Sequence, residues 1–317
     1  MAKKVLVTGG AGFIGSHLVE ELLKRGYFVR VLDNFSSGRL KNLEFTRDEG
    51  RRTRYELIRG DIRSKAACLS ACRNIDYVLH QAALRSVPKS MQSPAEYNEV
   101  NIQGTLNLLQ AARDKKVKNF VFASSSSVYG EIEKFPQREN SLPGPISPYA
   151  LTKLAGEHYC RMFSLHHKLP TVSLRYFNVF GPRQSLDDEY AVVIPKFISC
   201  FIQGKRPPVF GTGRQSRDFC YVGNVVQANL LAMQKTGAKG EVYNVAGGRD
   251  YSILELVAIL NRLTKKKLRP KLFAPRSGDV FRTWADLSKV KKELGYRPQV
   301  DFTRGLMITK EYFEKNV

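Results

Sequence analysis

Short, continuously apolar runs alternate with helix-patterned segments through the first 175 residues, and this alternation restricts the fold more than any other feature of the chain. Lys4–Thr8, Phe28–Leu32, Arg54–Ile58, Tyr77–His80, Asn119–Ala123 and Thr171–Arg175 read as strands. Ser16–Lys24, Glu96–Lys115 and Pro148–His166 read as helices. Strands that are apolar along their length must be covered on both faces, so the expected core is a parallel sheet with helices on either side, a doubly wound α/β fold. Past Arg175 the rhythm breaks. Gly181-Pro182, Arg206-Pro207-Pro208, Gly211-Thr212-Gly213 and Gly247-Gly248 punctuate shorter elements. The expected division is a first domain over 1–175 and a smaller α/β region over 176–317, with a cleft between them.

Between the first strand and the first helix, Val5-Leu6-Val7-Thr8-Gly9-Gly10-Ala11-Gly12-Phe13-Ile14-Gly15 places glycines at 9, 12 and 15. Gly9 permits a tight turn, Gly12 lets backbone approach a pyrophosphate, and Gly15 lets helix and sheet pack closely. The helix N-terminus adds unpaired N–H groups suited to phosphate. Any tight strand–helix turn can use glycines, but these stand at the correct place in the chain. Asp33, ending the second strand, is placed to accept both hydroxyls of a ribose and to repel a 2′-phosphate. Arg39 nearby is a cation able to accommodate such a phosphate. Asp33 decides the expectation, which is NAD.

The chain carries 51 Lys and Arg against 29 Asp and Glu, a formal net charge of +22. Such basicity suits nucleic acid, an anionic surface or an anionic small molecule. The densest stretch, Lys265–Lys271, follows an apolar-periodic segment and reads as the solvated end of a helix, and the rest of the excess is scattered. Small anionic ligands are therefore expected, and nucleic acid is not. With 43% hydrophobic residues the composition is that of a globular chain, and no apolar run reaches the roughly 20 residues that a membrane helix needs. Five cysteines, Cys68, Cys72, Cys160, Cys200 and Cys220, lack zinc-site spacing and read as reduced thiols of a cytoplasmic protein, with no metal expected.

Two further segments carry chemistry. Ser147-Pro148 supplies an N-cap and a first-turn proline to a helix that begins Tyr149-Ala150-Leu151-Thr152-Lys153. Residues four apart share a helix face, so a phenol and an ammonium can point into one space. There a cation, together with a positively charged nicotinamide, would stabilise phenolate and make Tyr149 a general base near neutral pH. Alone, a Tyr-x-x-x-Lys pair fits a solvated helix face equally well. The second segment, Ser124-Ser125-Ser126-Ser127-Val128-Tyr129-Gly130, ends an apolar strand, the edge where doubly wound sheets bind ligands.

Together these segments resemble the extended short-chain dehydrogenase/reductase superfamily and, within it, the UDP-sugar 4-epimerases. The resemblance runs essentially end to end. It rests on Thr8–Gly15, Asp33-Asn34, Gly60-Asp61-Ile62, His80-Gln81-Ala82-Ala83, Asn101, Ser125–Gly130, Tyr149–Lys153, Arg175–Pro182, Ser216-Arg217-Asp218-Phe219 and Gly278-Asp279. It implies a Rossmann sheet, NAD as cofactor, a UDP-sugar substrate and a homodimer built on helices near 96–115 and 149–166. By the same resemblance Tyr149 would take the proton of the sugar 4-hydroxyl, Lys153 would tune it and hold the nicotinamide ribose, and Ser125, aided by Ser126 or Ser127, would bind the 4-oxygen. Gly9, Gly12, Phe13, Ile14 and Gly15 would cradle the pyrophosphate. Asp33 and Asn34 would hold the adenosine ribose, Asp61 and Ile62 would flank adenine, and Gln81, Ala82, Ala83 and Asn101 would line the cofactor. Ser86, Asn178, Val193, Lys196, Arg217, Arg276 and Asp279 would face the UDP-sugar.

In relatives of this kind, hydride leaves C4 for NAD and returns to the other face of the ketone. Dehydratase-like and decarboxylase-like sequences carry carboxylates where this chain has Ser126 and Ser127. With those catalysts missing, C4 epimerisation is expected over a 4,6-dehydratase, a decarboxylase or a non-catalytic RNA-binding relative. His80–Pro88 and Tyr190–Lys196 are similar to epimerases acting on N-acetylated UDP-hexoses, and the small Thr283 would leave room for an acetamido group. Arg85 stands where that group has glycine. It would either pair with a uronate carboxylate or be a solvated loop residue, so a UDP-glucuronate or UDP-N-acetylhexosaminuronate 4-epimerase is the alternative.

Overall fold

The computed structural model describes residues 2–47, 54–185, 193–275 and 280–316. Its centre is a seven-stranded parallel sheet. Six strands come from the first 176 residues: β1 Lys4–Thr8, β2 Phe28–Asp33, β3 Tyr55–Arg59, β4 Tyr77–His80, β5 Asn119–Ser125 and β6 Thr171–Tyr176. The seventh, Glu241–Val245, pairs with β6 and comes from beyond residue 175. Helix Val222–Gln234 also packs on this sheet, so the strands contiguous in sequence end near 175 while the sheet itself does not. Spatially the order is seventh strand, β6, β5, β4, β1, β2, β3. The chain reverses its direction of winding between β1 and β4. Doubly wound sheets open a crevice at such a point, beyond the C-terminal ends of the strands.

Strand alternation explains the two faces. Val5 and Val7 belong to one apolar cluster with Leu18, Leu22 and Val225, whereas Leu6 belongs to the other with Leu108, Cys160 and Phe120. Helices Phe13–Lys24 and Val222–Gln234 cover the first face. Lys65–Ala71, Gly104–Asp114 and Pro148–His167 cover the second. Fully burying a Leu, Val or Phe contributes about 1.5–3 kcal/mol, so the sheet is held rigidly from both sides. A third cluster, including Phe180, Phe197, Phe201, Leu256, Leu260 and Phe302, forms the core of the smaller region. Short strands line it, among them Ser216–Asp218 paired with Asp250–Ser252 and Arg282–Thr283.

Two segments differ from the sequence expectation. The first helix begins at Phe13, not Ser16. The expected helix 96–115 is three joined pieces: Pro94–Tyr97, a π-helical turn Asn98–Gln103, and Gly104–Asp114. Such turns recur at functional sites, and this one presents Asn101 to its surroundings. The basic stretch does close helices. Lys265 takes the left-handed conformation that ends Ile253–Thr264, and Lys266 Nζ donates to the carbonyls of Phe201 and Ile202 at the end of Val193–Ile202. No helix among the described residues is long and apolar enough to cross a membrane.

Candidate active site

A cavity of about 870 Å³ lies beyond the C-terminal ends of the strands and runs from the glycine turn to Ser125 and Tyr149. At the first end, Gly9 has φ +66° and its N–H donates to Leu32 O at 2.8 Å across to β2, while Gly12 N–H donates to Gly9 O at 3.1 Å and closes the turn. Gly15 is required for a different reason: a Cβ there would lie 2.1 Å from Gly9 O. Gly12 caps helix Phe13–Lys24 with no side chain, and the helix has no acidic residue in its first turn. Its leading N–H groups are therefore available to an anion. Gly9, Gly12, Phe13, Ile14 and Gly15 all line the cavity.

Asp33 is buried beside this turn, where its carboxylate accepts from the backbone N–H of Ala11 at 2.9 Å and of Phe35 at 2.8 Å. Burial raises its pKa and the two backbone hydrogen bonds oppose that. Each carboxylate oxygen has two acceptor sites, which leaves capacity for vicinal hydroxyls. Asn34 Nδ2 donates to Asp61 Oδ2 at 2.8 Å, and the Arg63 hydrogen bonds hold Asp61 down at about 2. Ile62, Gln81, Ala82 and Ala83 complete this end. Behind it the fully buried His80 bridges Thr8 at 2.7 Å and Thr105 at 2.9 Å. Burial, and secondarily the Lys153 charge, lowers its pKa to about 3, so it is a neutral strut.

Tyr149 and Lys153 sit in the first turns of helix Pro148–His167, set by Ser147, whose Oγ accepts from Ala150 N at 3.2 Å, and by Pro148 in the first turn. Lys153 Nζ donates to Ala123 O at 2.8 Å and lies 5.9 Å from the Tyr149 ring centroid. Burial brings the ammonium down to about 8. The phenol is raised, first by burial, while a hydrogen bond with Ser125 and the Arg85 charge act to lower it. Arg85 is thus a second cation that bears on the phenol, beside Lys153 over its ring. Ser125 Oγ donates to Ser127 Oγ and accepts from Ser127 N, both at 3.1 Å. Ser125, Ser126 and Ser127 line the cavity, as do Arg85, Ser86 and Asn178.

Several other expected residues take different places. Asn101 does not line the cavity. Its side chain accepts from Leu84 N at 2.8 Å and donates to Leu84 O at 2.9 Å and Thr152 Oγ1 at 3.0 Å, which ties the 81–86 loop to the Tyr149 helix. Ser86 is on the wall, but its Oγ caps helix Val87–Gln92. Thr283 is buried and, among the described residues, off the wall, where it accepts from Asn178 Nδ2 at 2.8 Å and so holds Asn178. Arg217 donates to Ser216 O and Phe281 O, and Val193 packs on the third cluster; neither they nor Lys196 line the cavity among the described residues. Arg276 and Asp279 lie outside the described residues.

The wall also contains residues that local pattern does not signal. Tyr312, Phe313 and Asn316 come from the last helix, Phe302–Asn316, and Arg183 and Gln184 follow Asn178. Arg39, also on the wall, did have a sequence signal, from its place in the loop after the second strand.

A phosphate cradle and a buried phenol–serine pair on one cavity equip a protein for redox chemistry on a hydroxyl-bearing carbon, which places the chain among nicotinamide-dependent enzymes of the doubly wound class. It belongs to the NAD dependent epimerase/dehydratase family, whose model matches residues 5–246, within the extended short-chain dehydrogenases/reductases. The structure is similar to UDP-glucose 4-epimerase of Thermotoga maritima with UDP-glucose, at 39% identity and TM-score 0.92, covering 98% of this chain and 99% of that one. It is also similar to UDP-N-acetylglucosamine 4-epimerase of Methanobrevibacter ruminantium M1 in complex with UDP-N-acetylmuramic acid, at 38% identity and TM-score 0.93, covering 100% and 99%. UDP-glucuronic acid 4-epimerase of Bacillus cereus, in complex with UDP-glucuronic acid and NAD, matches at 35% identity and TM-score 0.90, covering 99% and 100%. The cofactor is NAD, and the glycine cradle and Asp33 fit it.

Proposed function

We propose that this chain inverts C4 of a UDP-hexose, with UDP-N-acetylglucosamine/UDP-N-acetylgalactosamine the preferred pair and UDP-glucose/UDP-galactose also accepted. The observation that carries this reading is Tyr149 hydrogen-bonded to Ser125 at the end of a cavity whose other end is a dinucleotide cradle. Gly9 to Gly15 would hold the pyrophosphate of NAD, and Asp33 the adenosine ribose. When bound, NAD supplies a reversible hydride acceptor and a positive nicotinamide.

The chain's own residues do the rest. Ser125 orients the 4-oxygen, and Tyr149, as the phenolate that Lys153 and the nicotinamide charge would stabilise, takes its proton as C4 becomes a ketone. Once the sugar has presented its other face, Tyr149 returns the proton to the same oxygen. Burial brings the Lys153 pKa down to about 8, which leaves it mostly an ammonium at neutral pH, and its hydrogen bond to Ala123 O fixes that ammonium beside the phenol. Elimination or decarboxylation needs a further acid–base group, and the turn Ser126–Tyr129 carries hydroxyls and no carboxylate. Arg85 on the wall supports the second reading, a substrate bearing a carboxylate.

Incubating the purified protein separately with UDP-glucose, UDP-N-acetylglucosamine and UDP-glucuronate, and resolving the products, tests the choice. The N-acetylated pair should give the highest kcat/KM; a higher value on UDP-glucuronate replaces it with the uronate reading. The protein is also proposed to be a homodimer, supported by Leu151, Met162 and Leu165, which expose 53%, 44% and 55% of their surface along helix Pro148–His167.

A further inference from the structure

Three side chains on one face of helix Pro148–His167, at 149, 153 and 157, meet three successive residues at the end of β5. Tyr149 hydrogen-bonds Ser125, Lys153 Nζ donates to Ala123 O at 2.8 Å, and the Glu157 carboxylate accepts from Ser124 Oγ. A spacing of four keeps the three on one side of the helix. The approach is close: a Cβ added at Gly156 would lie 2.3 Å from the Phe122 ring.

Glu157 brings a negative charge into the core, and Arg175 balances it. Arg175 Nε and Nη2 donate to Oε1 and Oε2 at 2.9 and 2.7 Å, and the two side chains are 4% and 5% exposed. Arg175 stands opposite Ser124 in the register of β5 and β6. Its guanidinium lies 4.6 Å from the ring centroid of Tyr129, which closes the serine turn and donates to Asn244 Oδ1 at 2.7 Å. One pair therefore touches the helix, both strand ends and the turn that carries Ser126 and Ser127. Buried ion pairs are a weak source of stability, since apolar replacements of both partners are often no less stable. What this pair supplies is directional: two fixed hydrogen bonds in one plane, with a third from Ser124.

We propose that Glu157 and Arg175 are positioning residues that fix the rotation and register of the Tyr149 helix on β5, so that the phenol stays opposite Ser125. The role rests on the reading of Tyr149 as the acid–base group. Neither residue lines the cavity, so both act through the helix and strand ends. Misplacing reacting groups by about 1 Å costs as much as 10²-fold in rate.

The test uses the NAD-loaded protein and a UDP-hexose that it epimerises. The double substitution Glu157→Gln with Arg175→Met removes both buried charges together and should melt close to wild type. Its kcat should fall about tenfold or more while KM and NAD content stay near wild-type values. Glu157→Asp keeps both charges but shortens the reach to Ser124, and should show a smaller fall in kcat with KM again unchanged. Wild-type kcat in the folded double variant overturns the positioning role, as does a loss confined to KM. If the double variant does not fold, Glu157→Asp decides alone, and wild-type kcat there overturns it. A wild-type protein that inverts no UDP-hexose refutes the functional reading itself, before any variant is compared.

Discussion

The two ends of the cavity are built by different means. The cofactor end is made largely of backbone: the turn Gly9–Gly15, the leading N–H groups of helix Phe13–Lys24, and Asp33 held by two more N–H groups. These parts lie within the first 35 residues, on one strand–helix–strand unit and the loop that follows it. The sugar end is made of side chains: Arg85, Ser125, Tyr149 and Asn178 come from four separate segments that meet only in the folded sheet. Backbone that has lost its side chains binds a ligand shared by many proteins. Side chains drawn from distant segments can be exchanged one at a time, so the sugar end can change its reaction while the cofactor end stays fixed.

If that division holds, substitutions at the two ends should fail in different ways. The largest effect belongs to Tyr149→Phe, which removes the proton acceptor and leaves the ring. Turnover should drop by about 10²–10⁴-fold, with UDP-sugar affinity nearly intact by titration. Unchanged turnover would remove Tyr149 from the mechanism. Next is Gly15→Ala, whose methyl would lie 2.1 Å from Gly9 O. Over-packing of this kind costs about 1–3 kcal/mol, so denaturant midpoint and co-purified NAD should fall together while turnover per bound NAD is preserved. Normal NAD content would break the claim that this end works through backbone approach.

The smallest effect concerns Lys153, which stands between the two ends. Its pKa is about 8 folded against 10.5 in its unperturbed state, because burial disfavours the charge. Between those values the unfolded chain holds more protons, so this group makes stability rise with pH across that window. Thermal unfolding of wild type and Lys153→Met should therefore converge in Tm or cross in favour of wild type as pH goes from 8 to 10.5. A constant difference would mean that Lys153 is not depressed.

Legibility follows the same division. The cofactor end was readable because glycines between a strand and a helix have few other uses, and because apolar strands alternating with helices specify a parallel sheet. The Tyr149 helix was readable because Ser147 and Pro148 mark its start locally. Asn101 and Thr283 were placed on the ligand, but the structure spends their polar groups on Leu84, Thr152 and Asn178. A motif shows that a side chain is wanted at a position, and only the fold shows which neighbour receives it. Tyr312, Phe313 and Asn316 carry no motif, since their presence on the wall depends on how the last helix crosses the smaller region. Spacing brings Lys153 to the Tyr149 ring; what it did not show is that Ala123 O accepts a hydrogen bond from the ammonium and that the Arg85 charge also bears on the phenol.

The central claim is that one carbon is oxidised and reduced within a single visit, with Tyr149 carrying only the oxygen-bound proton. A UDP-hexose deuterated at C4, incubated with the purified protein in ordinary water, tests this directly by mass and proton spectra of the product. Inverted sugar that retains deuterium at C4 is the predicted result. Label lost to solvent on inversion, or no inversion even with NAD added, would contradict the account.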